Sequence, residues 1–234
     1  MNCITTTALA GLLALTGAAQ AAPELQRVRG TIESADAGTV TVKTNEGGTE
    51  TVQLGGAKVV WVAKSSLDAV KDGVFIGTAT KGENPLTALE VVIFPESMRG
   101  TGEGHYAWDA ITDHTAAGGA KVKSAMTNGT VKAEQAGAPK VKSAMTNGTV
   151  AKSGGSGGGA GGGAGGEKTL TVTYDKEGSK QIVVPPQAPI VAFEPADPAI
   201  LKPGSKIFVV AAKDGGKLDG KLVAVGKDGL TPPM

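Results

Sequence analysis

Cysteine is almost missing from this chain: one residue, Cys3, stands in 234. That excludes a disulfide-stapled scaffold and thiol chemistry in any product that loses its N-terminus. Aromatic residues make up only 3%, so any packed core must be built from Val, Ile, Leu and Ala. Charge of one sign is lacking too. Lys+Arg at 23 against Asp+Glu at 22 leave a formal +1, which provides no global field to hold nucleic acid or anionic lipid. Long hydrophobic runs are absent, which excludes a multi-pass membrane protein. The one Gly-x-Ser-x-Gly match, 154–158, lies in a tract of only Gly, Ser and Ala and has no strand-to-helix context, so it is no elbow for a serine nucleophile. What the chain has in quantity is glycine, 36 residues. It follows no three-residue period, so collagen is excluded and loops or a low-complexity tract are implied.

Residues 1–21 read as a signal peptide. From Ile4 to Ala19 there is no charge, the densest apolar stretch is Ala8 to Leu15, and Ala19-Gln20-Ala21 is a small-x-small cleavage site. No Lys or Arg precedes the apolar run, which departs from the usual pattern. Cys3 lies before that run, whereas a lipoprotein cysteine follows it. Cleavage after Ala21 places the mature protein in the periplasm or outside the cell and leaves no membrane span. The competing reading is a buried N-terminal helix.

Internal repetition sets the architecture. Gly30-Thr31-Ile32, Thr39 to Lys43 and Glu50 to Leu54 are answered by Gly148-Thr149-Val150, Thr169 to Thr173 and Lys180 to Val184. Val59 to Val62, Ser66 to Gly73, Val74 to Ala79 and Ala88 to Ile93 are answered in the same order by Ile190 to Phe193, Asp197 to Gly204, Ile207 to Ala212 and Lys221 to Val225. The strands alternate with period two, as in Thr39 to Lys43, where Val40 and Val42 share one face. Glycine-bearing turns at 36–38, 45–48 and 175–178 separate them. Ser66 and Pro198 mark short helical turns. The expected fold is all-β: two tandem five-stranded OB-like small barrels, each with a helical turn between strands 3 and 4. A meander or a small sandwich would use similar strands. The expected units are 22–98 and 140–234, joined by a strap at 99–139.

The segments Arg29 to Ser34, Thr39 to Lys43 and Leu-x-x-Val-Lys-Asp-Gly at 67–73 resemble an exported bacterial domain family of unknown function, OB-like in shape. The stretch from Phe94 to Tyr106 and the ending Gly229 to Met234 look like a tandem alphaproteobacterial type of that family. The resemblance implies a fold and a compartment, and brings no activity and no functional residues.

Residues 121–131, Lys-Val-Lys-Ser-Ala-Met-Thr-Asn-Gly-Thr-Val, recur unchanged at 140–150. The repeat alignment assigns the second copy to the first strand of unit two and leaves the first copy as a spare segment. The tract 154–166 contains only Gly, Ser and Ala. A linker is the simple reading; the alignment instead makes it an overgrown hairpin loop.

Candidate chemistry is sparse. The two histidines stand in Glu103-Gly-His105-Tyr106-Ala-Trp108-Asp109 and Asp113-His114. His105, Asp109, Asp113 and His114 form a candidate divalent-metal set, since imidazole and carboxylate suit Zn, Ni or Cu. The alternative is a strap whose Tyr106 and Trp108 dock on a barrel while its polar residues face water. Gly100-Thr-Gly102-Glu-Gly104 lacks the spacing of a dinucleotide or phosphate loop. Few aromatics and interspersed charges give no single-strand nucleic-acid groove. Asn128 and Asn147 head glycosylation sequons that the duplication generates. The sequence therefore points to an exported, non-enzymatic binding or envelope-associated protein. Its partner would be an envelope protein, a glycan or a small ion, with no cofactor beyond that metal. A periplasmic metal-binding protein using His105 and His114 is the alternative.

Overall fold

The computed structural model describes residues 24–132, 167–175 and 178–234. Among these, 13 strands form one continuous sheet, and the all-β class predicted from the alternation is what is found. The first half supplies β1 (Glu24–Ala35), β2 (Thr39–Thr44), β3 (Thr49–Gln53), β4 (Lys58–Lys64), β5 (Phe75–Lys81) and β6 (Leu86–Ile93). After β7 (Gly104–Thr112) the second half supplies β8 (Lys121–Lys132), β9 (Lys168–Tyr174), β10 (Gly178–Val184), β11 (Ile190–Pro195), β12 (Lys206–Asp214) and β13 (Lys217–Gly226). One-turn 3-10 helices, Leu67–Ala69 and Pro198–Ile200, follow β4 and β11. Asp197 caps the second by accepting a hydrogen bond from Ala199 N at 2.8 Å; Ser66, expected to cap the first, makes no side-chain cap.

The halves do not fold in tandem. β1, β2, β3, β13 and β12 pair in a closed circuit. β8, β9, β10, β6 and β5 close a second. Each circuit thus combines three strands of one half with the last two of the other. β4 pairs antiparallel with β11, and these two strands link the circuits through β13 and β6. The sequence expectation of five strands per unit with the turn after the third is corrected to six per half with the turn after the fourth. The physical reason is that Val59 to Val62 forms a strand whose partner is its own counterpart, β11, rather than a neighbour in its own half.

The pairing is two-fold symmetric down to single residues. The pair Val62–Phe193 lies at the symmetry point. Ile76 meets Ile93 as Ile207 meets Val225, and a bulge interrupts β5–β6 at Ala79/Thr80 and β12–β13 at Val210/Ala211. Thr31 meets Lys43 as Thr130 meets Thr173. This last equivalence makes 121–131, the first copy of the duplicated segment, the strand that answers Gly30-Thr31-Ile32. That corrects the expectation of a spare segment there. The second copy (140–150) and the glycine tract (154–166) lie outside the described residues, as do residues 1–23. The first copy is positioned by a hairpin with β7, closed by a hydrogen bond from Asp113 N to Ala120 O at 2.9 Å.

Alternation explains the cores. The inward residues of the first circuit, among them Val28, Ile32, Val40, Val42, Val52 and Val223, form one buried cluster. Ile76, Val91, Val131, Leu170, Val172 and Ile182 form its counterpart. Gly30 and Gly129 sit at equivalent corners, where β1 and β8 pass from one partner to the next. A Cβ at Gly30 would lie 2.0 Å from Lys43 O, and one at Gly129 2.3 Å from Thr173 O. Only glycine permits that crossing. The outward faces of the linking strands and of β12 bury a third cluster around Val60, Val62, Phe193, Phe208 and Met234.

Candidate functional site

Outward residues of both halves converge with β7 around a cleft of about 500 Å³ beside that third cluster. The chain contains two Trp, two Tyr and four Phe. Five of these eight line this one cleft: Phe94, Tyr106, Trp108, Phe193 and Phe208. Phe94 and Phe193 meet edge to face with centroids 5.1 Å apart, and Tyr106 and Trp108 lie tilted at 6.1 Å. Among the described residues only two large hydrophobic side chains are exposed, Leu25 at 53% and Tyr106 at 36%. Both belong to the cleft. Concentrating scarce aromatic surface at one opening is what a small-molecule site requires and what a monomeric surface otherwise avoids.

The cleft exists because its two sides are unequal. Phe208, opposite Arg29 on the β1–β12 ladder, has Gly77, opposite Asn128, as its symmetry counterpart. A Cβ at Gly77 would stand 2.5 Å from Asn128 Oδ1 and 2.9 Å from Phe94. The side chain that fills this layer in one half is therefore missing in the other.

β7 closes one flank. Asp109 accepts from Arg27 Nη1 at 2.9 Å and from Arg29 Nη1 at 2.8 Å. The Arg27 guanidinium lies 3.7 Å above the Trp108 ring, and that of Arg29 lies 5.1 Å from the Phe208 ring. Arg29 Nε also donates to Met234 O at 2.6 Å. Several buried polar atoms in these walls have no hydrogen-bond partner: Trp108 Nε1, Arg27 Nε and Asn128 Oδ1. Both carboxylate oxygens of Glu90 are in the same condition, and that residue is 1% exposed. Burial pushes the Glu90 carboxyl up to about 8, with Arg29 opposing the rise. At neutral pH it is chiefly the uncharged acid.

The four residues of the metal reading are brought to one strand and turn but given separate partners. His105 Nδ1 lies 2.8 Å from Thr127 Oγ1, and its ring stacks on Tyr174. Burial, then the charge of Lys180, holds its pKa below the usual histidine value. Asp109 binds the two arginines. Asp113 pairs with Lys81 and Thr115, and the Lys81 bond, first among several, lowers its carboxyl to about 2. His114 is exposed at the turn after β7. Among the described residues no group of three or more His, Cys, Asp or Glu is placed to hold a metal ion.

The sequence reading placed Tyr106 and Trp108 on a docking strap and missed the cleft they help to form. Phe94, Phe193 and Phe208 lie far apart in the chain with no common motif. The one available signal was how few aromatics there are, since each then needs a reason. Among the described residues no helix is long and apolar enough to cross a membrane. No family model, no curated protein and no solved structure matches this chain.

Proposed function

We propose that this is an exported, non-enzymatic binding protein, periplasmic or secreted, whose two five-strand circuits are OB-like barrels holding a small apolar ligand between them. The observation that carries the reading is the gathering of five of eight aromatic side chains, and of both exposed large hydrophobics, around one cleft. Its volume falls in the ordinary range for small-molecule sites. The binding energy would come from covering aromatic surface, at roughly 25 cal/mol per Å².

The test is fluorescence titration of the mature protein with N-phenylnaphthylamine, using Trp61→Phe so that Trp108 is the only indole. Saturable binding with quenching of Trp108 is expected, together with at least a tenfold loss on Trp108→Ala at unchanged circular dichroism. A probe that does not saturate below the millimolar range, or that ignores Trp108→Ala, removes the reading.

A further inference from the structure

The charged residues of the same cleft are one-sided. Arg27, Lys58 and Lys221 line it against a single acid, Glu103. Glu103 also lies within electrostatic reach of Arg99, which offsets part of its charge. Arg27 is committed to Asp109, whereas Lys58 and Lys221 are exposed and form no ion pair among the described residues. Lys58 stands opposite Leu222 on the β13–β4 ladder, next in sequence to Lys221, so both residues belong to one side of the opening. Lys221 is the bulge residue of β13: the ladder passes from Val210–Leu222 to Ala211–Gly220 and leaves it unpaired. Its symmetry counterpart at the β6 bulge is Leu89, which is fully buried. The same backbone irregularity thus carries a buried apolar side chain in one half and a cation beside the cleft in the other.

We infer that the cleft selects a single-chain amphipathic carboxylate, with its apolar chain among Phe94, Phe193 and Phe208 and its head at Lys58 and Lys221. This rests on the small-molecule reading above and adds the chemistry of the head group. The limited volume suits one chain rather than the paired chains of a membrane lipid.

The experiment compares dodecanoate, dodecanol and dodecylammonium by calorimetry on the mature protein, below their aggregation limits and at low salt. Dodecanoate is expected to bind about tenfold more tightly than dodecanol, the worth of one charge-assisted contact, and dodecylammonium more weakly than either. Lys58→Ala/Lys221→Ala is expected to erase the preference for the anion and leave dodecanol unchanged. Both lysines are exposed, so folding is not at stake, and rising salt should narrow the same gap in the unaltered protein. Equal binding of dodecanoate and dodecanol would overturn the head-group assignment while leaving the small-molecule reading intact. Failure of all three would remove that reading itself. Co-sedimentation with phosphatidylglycerol vesicles without dodecanoate binding would overturn the single-chain source.

Discussion

Arg27, Arg29, Gly77 and Glu90 hold the places that Met126, Asn128, Phe208 and Leu222 hold in the other half. Inward positions have hardly diverged by comparison: Val42 answers Val172, Val52 answers Ile182, Ile76 answers Ile207 and Val91 answers Val223. The backbone has kept even its bulges in register. Packing explains the contrast, because an inward side chain touches many neighbours and resists changes of volume or polarity. An outward side chain near the symmetry point meets β7 on one side only and could change. The cleft, its arginine–aspartate flank and the buried acid all arise from that divergence.

The largest test of the comparison is Glu90, the acid in Leu222's place. Its folded pKa of about 8 lies above the unfolded value of 4.5. The folded state therefore binds the proton more tightly, and stability is full below pH 4.5 and falls as pH rises toward 8. At roughly 1.4 kcal/mol per pH unit across that window, the loss is on the order of 4 kcal/mol. Glu90→Leu, which restores the symmetry, is expected to flatten the pH dependence and raise stability at pH 8. Urea denaturation at pH 5 and pH 8 measures both, and an unchanged slope in the variant would refute the assignment.

The next largest effect comes from the equivalent corner glycines. Gly30→Ala forces a Cβ onto a backbone oxygen and is expected to cost about 3 kcal/mol or more. Gly129→Ala alone should cost less, because residues 140–150 repeat the same strand with Gly148 unaltered. Gly129→Ala/Gly148→Ala should match Gly30→Ala in thermal denaturation. A single Gly129→Ala as damaging as the pair would show that the second copy cannot serve.

Among the described residues β7 has no symmetry counterpart, and so neither has Asp109. Asp109→Ala strands two half-buried arginines and should cost about 1–2 kcal/mol, between the worth of an exposed and a buried pair. The loss should shrink with added salt, as read by denaturation at low and high ionic strength. The smallest effect is expected from deleting residues 132–150, which removes one period of the duplication and leaves one copy of the strand. That roughly halves the connection between β8 and β9 and should stabilise by about 0.6 kcal/mol. Unfolding of the shortened protein would mean that both copies are needed.

Much of this was legible from residues alone. Period-two stretches such as Thr39 to Lys43 became strands with Val40 and Val42 buried, and six of the seven matched segments fell into equivalent places within a residue or two. Two errors share a cause. The copy at 121–131 was set aside because an identical one stood nearer to β9. Residue identity cannot separate the copies; the short β7–β8 hairpin does. The β5–β6 hairpin was assigned to its own half because it follows it in sequence. Yet β4, paired with β11 and β13, carries the chain out of the first circuit before β5 begins.

By itself the sequence determined the strands outside 99–139, their inward faces and the duplication, because alternation is a local property of side-chain direction; β7 and β8, read as a strap, were not among them. Tertiary structure decided which circuit each hairpin joins, which copy is used and where the aromatics gather. The two halves offer nearly interchangeable inward faces, so local pattern fits either partner equally well. Choice between equivalent partners falls to chain connection and to packing across the symmetry point, where residues distant in sequence first meet.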